Sequence, residues 1–231
     1  MSTNTTDTET ASEIEDTGPA PDTRRNAYRP DLAAAYLQGQ VSAERFVKGT
    51  LGQILQPSVS LRKLPDVTRG FETEALFGEA VTVYEEADGW LWVQLARDGY
   101  VGYVPAPAVR IGPLLTPTHR VQSLGTFVYG APDIKSPPFM HLPMNALLSV
   151  IGGDDRFAAL QGGVFVVARH LAAIDRPARD FVEIAERFIG TPYLWGGCTR
   201  IGIDCSGLVQ TSLLAANIAA PRDSDMQRDE L

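Results

Sequence analysis

Thr191-Pro192-Tyr193-Leu194-Trp195-Gly196-Gly197-Cys198-Thr199-Arg200-Ile201-Gly202-Ile203-Asp204-Cys205-Ser206-Gly207-Leu208-Val209-Gln210 reads as a loop that feeds a helix. Upstream, Phe181, Ile184, Ala185 and Phe188 fall at the spacing of one apolar helix face. Gly190-Thr191-Pro192 ends that helix, because Gly suits a C-cap and Pro biases its predecessor away from the helical region. Downstream, Leu208, Val209, Leu213 and Leu214, set among Ala215 and Ala216, predict a second helix that starts at or just after Asp204. Asp204 is then its N-cap and Cys205 lies in its first turn. Unpaired backbone N–H groups and the positive dipole end favour a thiolate there, while the neighbouring charge of Asp204 works against it. Gly207, with no side chain, would allow close approach of another backbone or of a substrate. A Cys on a helix is more often a small core hydrophobe, so the flanking residues decide the reading.

Those residues are Gly190-Thr191-Pro192-Tyr193, Trp195-Gly196-Gly197, a short spacer, then Asp204-Cys205-Ser206-Gly207-Leu208-Val209. The pattern resembles the nucleophile motif of the NlpC/P60 cysteine peptidases. These are papain-like enzymes that cut peptidoglycan stem peptides, commonly at the γ-D-glutamyl to diamino acid bond. The resemblance implies Cys205 as nucleophile, on a helix packed against a sheet that carries a His and a third polar residue.

Composition bounds the rest. The chain has 231 residues, 44% hydrophobic and 21% charged, a globular balance with room for one or two ordinary domains or three small ones. The net charge of −8 argues against a nucleic-acid partner. Residues 1 to 22 hold Asp7, Glu9, Glu13, Glu15, Asp16 and Asp22 with no Lys or Arg, so the remainder is close to neutral. The N-terminus lacks the basic and apolar regions of a secretory signal. No run approaches the ~18 apolar residues of a membrane span, so no membrane partner is expected. The two cysteines, Cys198 and Cys205, fit a reducing compartment, and a cytoplasmic location is expected. Their spacing is not a usual zinc pairing; no metal and no cofactor is expected.

Residues 1 to 26 are acidic, polar and devoid of aromatics, and read as a disordered tail. Residues 27 to 44 read as a helical strap, with Asp31 capping a short helix that carries Leu32, Ala35 and Tyr36. Residues 45 to 112 show short strands punctuated by Gly and Pro: Val59 to Arg62, Ala80 to Tyr84, Trp90 to Leu95 and Tyr100 to Pro105, with turns at Glu85 to Gly89 and Arg97 to Gly99. The order Leu76-Phe77-Gly78-Glu79, strand, Asp88-Gly89-Trp90, Asp98-Gly99-Tyr100 resembles a bacterial SH3 domain. Residues 113 to 175 repeat the strand rhythm at Val121 to Leu124, Thr126 to Tyr129, Ala146 to Ile151, Asp154 to Leu160 and Gly163 to Val167. Residues 176 to 231 begin the segment that bears Cys205. The fold class expected is α+β multidomain: two small SH3-like β-barrels followed by an incomplete papain-like NlpC/P60 domain.

This arrangement resembles the cytoplasmic γ-D-glutamyl-L-diamino acid dipeptidyl peptidases that recycle murein peptides. The partner implied is a peptidoglycan stem peptide, L-Ala-γ-D-Glu-diamino acid, with a free amino terminus. Asp204, Ser206, Asp223 and Ser224 match positions that line the substrate pocket in those relatives, and Tyr100 matches an SH3-borne Tyr that contacts substrate. Glu79 is a further candidate for an amine contact. Asp204 and Ser206 can also be explained as helix-capping residues. Trp90, Trp92, Tyr193 and Trp195 are read as core.

A Cys peptidase needs a base. In the family that His follows the Cys, whereas His119, His141 and His170 all precede it here. The chain is therefore expected to be a fragment without its catalytic His. A non-catalytic cell-wall-peptide-binding SH3 module stays open as the alternative. A thiol redox protein using Cys198 and Cys205 is the third reading, at a spacing wrong for the two-residue redox motif.

Overall fold

The structure, a computed structural model, describes residues 20–231. Most of the expected acidic tail lies outside the described residues. Its last part does not behave as expected: residues 22 to 26 form a hydrogen-bonded turn, with Arg25 N and Asn26 N donating to Asp22 O at 3.1 and 2.9 Å. Arg24 and Arg25 anchor that turn by pairing with acidic residues near residue 225.

The strap is also not helical. Leu32–Ala34 is a strand paired in parallel with Arg45–Val47, and Ala35–Leu37 is a single 3-10 turn. A short isolated helix is marginal in water, because nucleation costs more than a few turns return. Tertiary burial decides instead: Ala27, Leu32, Ala34 and Leu37 cluster around Trp92. Asp31 caps nothing; it pairs at 2.7 Å with Arg29, which also pairs with Glu85 at 2.6 Å and lies 4.4 Å over the Trp92 ring.

The first β unit is an antiparallel five-stranded sheet, with strands in the order Val101–Pro105, Trp90–Leu95, Ala80–Ala87, Thr50–Ile54 and Val109–Ile111. A hairpin of Ser58–Leu61 with Thr73–Leu76 closes over it through the Arg62 to Tyr103 bridge. Val59, Leu61, Val81, Val93, Leu95 and Val104 fill its core. Ala80–Ala87 runs further than the expected turn, which contracts to Asp88-Gly89. Both residues have positive φ, 51° and 79°, matching the right-handed twist of the strands they join.

The second β unit has a five-stranded sheet, in the order Pro138–Pro143, Gly125–Tyr129, Val164–Val167, Phe157–Leu160 and Val150–Gly153, and a three-stranded sheet of Leu147–Leu148, His119–Val121 and Leu171–Ala173. Pro138–Pro143 is absent from the sequence reading. Its prolines are accommodated because it is an edge strand. Gly78 joins the units: a Cβ there would lie 2.1 Å from Leu147 O, and its φ is +81°.

Three helices follow: α1 Phe181–Glu186, α2 Cys205–Ala215 and α3 Ser224–Glu230. The architecture is mostly β with few helices. Met144 of the second β unit, Ile184, Phe188, Ile203 and Ala215 form the core beneath α2. The buried Asn145 amide donates to Thr211 O at 2.9 Å. So α2 has a packing surface within this chain, although Val209 stays 39% exposed. Among the described residues no helix is long and apolar enough to cross a membrane.

Leu32 is fully buried against the Trp92 cluster. Leu32→Ala should therefore cost about 2–5 kcal/mol in urea unfolding. A loss below about 0.5 kcal/mol, the range of surface substitutions, would mean that the strap does not pack as described.

Candidate active site

Asp204 is the N-cap of α2, its Oδ1 accepting from Gly207 N at 2.7 Å, so Cys205 heads the helix as the sequence predicts. The thiol of Cys205 is exposed while that of Cys198 is buried. Gly207 is needed for close backbone approach: a Cβ would lie 2.4 Å from Gly197 O. Gly196, at φ +78°, turns the chain into the small hairpin of Cys198–Thr199 with Gly202–Ile203.

A buried guanidinium holds this start in place. Arg222, 1% exposed, donates from Nη2 to Asp204 Oδ2 at 2.7 Å, from Nη1 to Ser206 Oγ at 2.8 Å and from Nε to Thr73 Oγ1 at 2.9 Å. Burial pushes the Asp204 carboxyl up, but Arg222 and the amides of Gly207 and Gly196 outweigh it, and the net shift is downward. Thr73 belongs to the first β unit, and its neighbour Glu74 accepts from Cys198 N at 2.8 Å. Burial pushes Glu74 up. Gln210 of α2 reaches the same unit, donating to Asp98 at 2.8 Å.

Between the first β unit and the start of α2 lies a cleft of about 590 Å³. Cys205, Asp204, Ser206, Asp223, Ser224 and Tyr100 all line it, so these six candidates from the sequence resemblance meet here. They stand differently within it. Asp204 and Ser206 are buried and committed to Arg222 and the helix start. Asp223 holds the N-cap position of α3, but its side chain makes no capping hydrogen bond. Its Oδ2 accepts from the Tyr100 hydroxyl at 3.1 Å and from Arg24 at 2.9 Å. Tyr100 is 3% exposed; burial and the Asp223 carboxylate push its phenol up.

Some expectations need correction. Glu79 is absent from the cleft: it is buried against Arg97 at 2.6 Å and accepts from Leu76 N at 3.1 Å. Tyr193 and Trp195 are not core but 65% and 66% exposed, and line the cleft. The sequence reading missed Glu72, Arg24 and Arg222, which also line it. None of the chain's three histidines does. His119 and His170 face Thr118 and Thr126 at 2.9 Å each, and His141 lies against Phe127.

Arg222→Met leaves Asp204 buried without its counter-ion and should cost about 3–5 kcal/mol in denaturant unfolding. The pH dependence follows from the sign of the shift. A carboxyl depressed on folding stabilises above its unfolded value of about 3.9 and loses that contribution as pH falls through the lower folded value. Acid titration of stability should show this loss in the wild type, and a smaller one in Arg222→Met.

Residues 61–109 match the bacterial dipeptidyl-peptidase SH3 domain, and residues 190–230 match the NlpC/P60 family. The chain is 27% identical over 168 residues to a protein of Bacillus subtilis (strain 168) named gamma-D-glutamyl-L-lysine dipeptidyl-peptidase, covering 68% of this chain and 57% of that protein. A protein of the same name from Bacillus cereus (strain ATCC 10987 / NRS 248) is 25% identical, covering 68% of this chain and 54% of its own length. The chain thus spans little more than half of these relatives. In fold it is similar to the crystal structure of an NlpC/P60 family protein from Bacillus cereus ATCC 10987, with a TM-score of 0.67 and 21% identity over 78% of this chain and 77% of that one. The similarity thus joins two family matches, an NlpC/P60 segment at residues 190–230 and a bacterial dipeptidyl-peptidase SH3 segment at residues 61–109, on one chain.

Proposed function

We propose that this chain carries the nucleophile and amine-binding side of a cysteine peptidase that hydrolyses γ-D-glutamyl-diamino acid bonds in peptidoglycan-derived peptides, as in murein peptide recycling. The observation that carries this reading is the meeting, in one cleft, of the exposed Cys205 thiol with a carboxylate, Asp223, fixed by Tyr100 of the SH3 domain. A carboxylate there suits a free peptide ammonium. Glu72, lining the same cleft, adds negative charge. In this reading the Cys205 sulfur attacks the γ-glutamyl carbonyl and the C–N bond breaks with release of the diamino acid. Water then cleaves the thioester and frees the dipeptide.

We read residues 113 to 175 as a second SH3-like barrel and 176 to 231 as part of the papain-like domain, with 45 to 112 as the first barrel. Two free thiols suit a reducing compartment, and we place the protein in the cytoplasm. The proton transfers need a base, and no histidine of this chain lines the cleft. The second reading is a module that holds such peptides without turnover.

Titration with L-Ala-γ-D-Glu-L-Lys separates the two readings: release of lysine supports the peptidase, and saturable binding without release supports the module. Absence of both overturns each. Cys205→Ala should abolish any release and leave binding within about twofold of wild type. Asp223→Asn should weaken binding about tenfold to a hundredfold, the worth of a charge-assisted hydrogen bond of ~1.5–3 kcal/mol. Isothermal titration calorimetry measures both.

A further inference from the structure

The turn at residues 22 to 26 brings a cation to the carboxylate that the proposed function assigns to the peptide ammonium. Arg24 donates from Nη1 to Asp223 Oδ2 at 2.9 Å and to Asp225 Oδ1 at 3.0 Å, and from Nη2 to Asp225 Oδ2 at 2.8 Å. Nε and Nη2 also reach Asp22, at 3.1 and 2.7 Å. The backbone beneath is held as well: Val101 N donates to Arg24 O, and Gln94 Nε2 to Arg25 O, at 2.8 Å each. Five residues on, Arg29 lies over Trp92. The guanidinium is therefore placed by the fold and is not a free surface side chain. Its hydrogen bonds push Asp225 down to about 2, so the contact is fully charged throughout the neutral range.

We propose that Arg24 is an internal stand-in for the ligand's ammonium, occupying Asp223 in the free protein and setting how strongly the cleft selects peptides with a free amino terminus. The inference rests on the reading of Asp223 as the amine-binding carboxylate. A ligand ammonium on Asp223 must either displace Nη1 or sit beside it as a like charge, and both weaken binding. Arg24 need not leave the cleft wall when displaced, because Asp22 and Asp225 still hold its other donors. At 37% exposure its side chain exchanges with water far more readily than Arg222. The ion pair is therefore sensitive to salt.

The test uses the full chain with Cys205→Ala, so that no turnover interferes. Calorimetry compares L-Ala-γ-D-Glu-L-Lys with its N-acetyl form. Arg24→Gln should tighten binding of the free-amine peptide about fivefold to tenfold and leave the acetylated peptide unchanged, and the gain should shrink at high salt. Arg24→Lys, which keeps the charge, should stay within about twofold of the parent. An unchanged or weaker affinity in Arg24→Gln overturns the inference while the amine-site reading stands. So does an equal gain in Arg24→Lys.

If the parent binds neither peptide, the amine-site reading fails, and a ligand-free measurement then decides the inference. With Cys205 intact, a cationic thiol reagent, trimethylammonium-ethyl methanethiosulfonate, is compared with neutral methyl methanethiosulfonate. Arg24→Gln should raise the cationic-to-neutral rate ratio about threefold. An unchanged ratio overturns the proposal, and Cys205→Ala gives the blank because Cys198 is buried. Melting of Arg24→Gln within a few degrees of the parent shows that the fold is intact; a larger fall shows that Arg24 is structural and also overturns it.

Discussion

The Arg222 guanidinium is the constraint on which the site depends. It is removed from water, and a buried charge is tolerated only with a counter-ion and filled hydrogen-bonding positions. Asp204 supplies the charge, and Ser206 and Thr73 supply acceptors. Each partner thereby acquires a second task. Asp204 both caps α2 and neutralises Arg222, so the residue before Cys205 cannot shift without exposing a buried cation. Thr73 brings the first β unit into the same knot. The position of the thiol is therefore fixed by two parts of the chain rather than by the helix alone.

The same logic makes the cleft a property of an interface. Tyr100 comes from the SH3 domain, Asp223 from the turn before α3, Cys205 from the start of α2 and Arg24 from the turn at residues 22 to 26. Buried polar contacts hold the walls at a fixed separation: Glu74 to the Cys198 amide, Gln210 to Asp98 and Gln227 to Ser206 O. Such contacts are costly when broken, because each leaves a buried donor or acceptor unmatched. That cost explains how a unit of short strands can serve as one wall of a cleft.

What could be read from the chain beforehand divides by range. The cap at Asp204, the start of α2 and the Asp88-Gly89 turn depend on residues within a few positions, and periodicity and turn chemistry reveal them. Cys205, Tyr100 and Asp223 were found through a motif, which carries long-range placement that spacing cannot. The failures were non-local. Leu32, Ala35 and Tyr36 have helical spacing, yet burial against Trp92, about sixty residues away, sets the strand and 3-10 turn. Pro138–Pro143 reads as loop until it is known to be an edge strand. Glu79 and Glu72 are both acidic and close in sequence, and only the packing of the first β unit decides that one meets Arg97 inside and the other faces the cleft. Arg24 and Arg222 carry no local signal of the cleft, since the partners that place them there are Asp223 and Asp225 for Arg24, and Asp204, Ser206 and Thr73 for Arg222.

Those two arginines differ in one variable, and that variable separates their roles. Both grip carboxylates at the rim or base of one cleft. Arg222 is 1% exposed, so water and salt cannot replace its partners and the contact behaves as part of the framework. The Arg24 side chain is 37% exposed and faces carboxylates that are themselves open to solvent, so its net contribution to stability is small even though its hydrogen bonds are short. A weak contact at a carboxylate in a cleft is a poor staple and is readily replaced. It keeps Asp223 from being an unpaired negative charge, and under the proposed function it is the contact that a ligand bringing its own cation would replace.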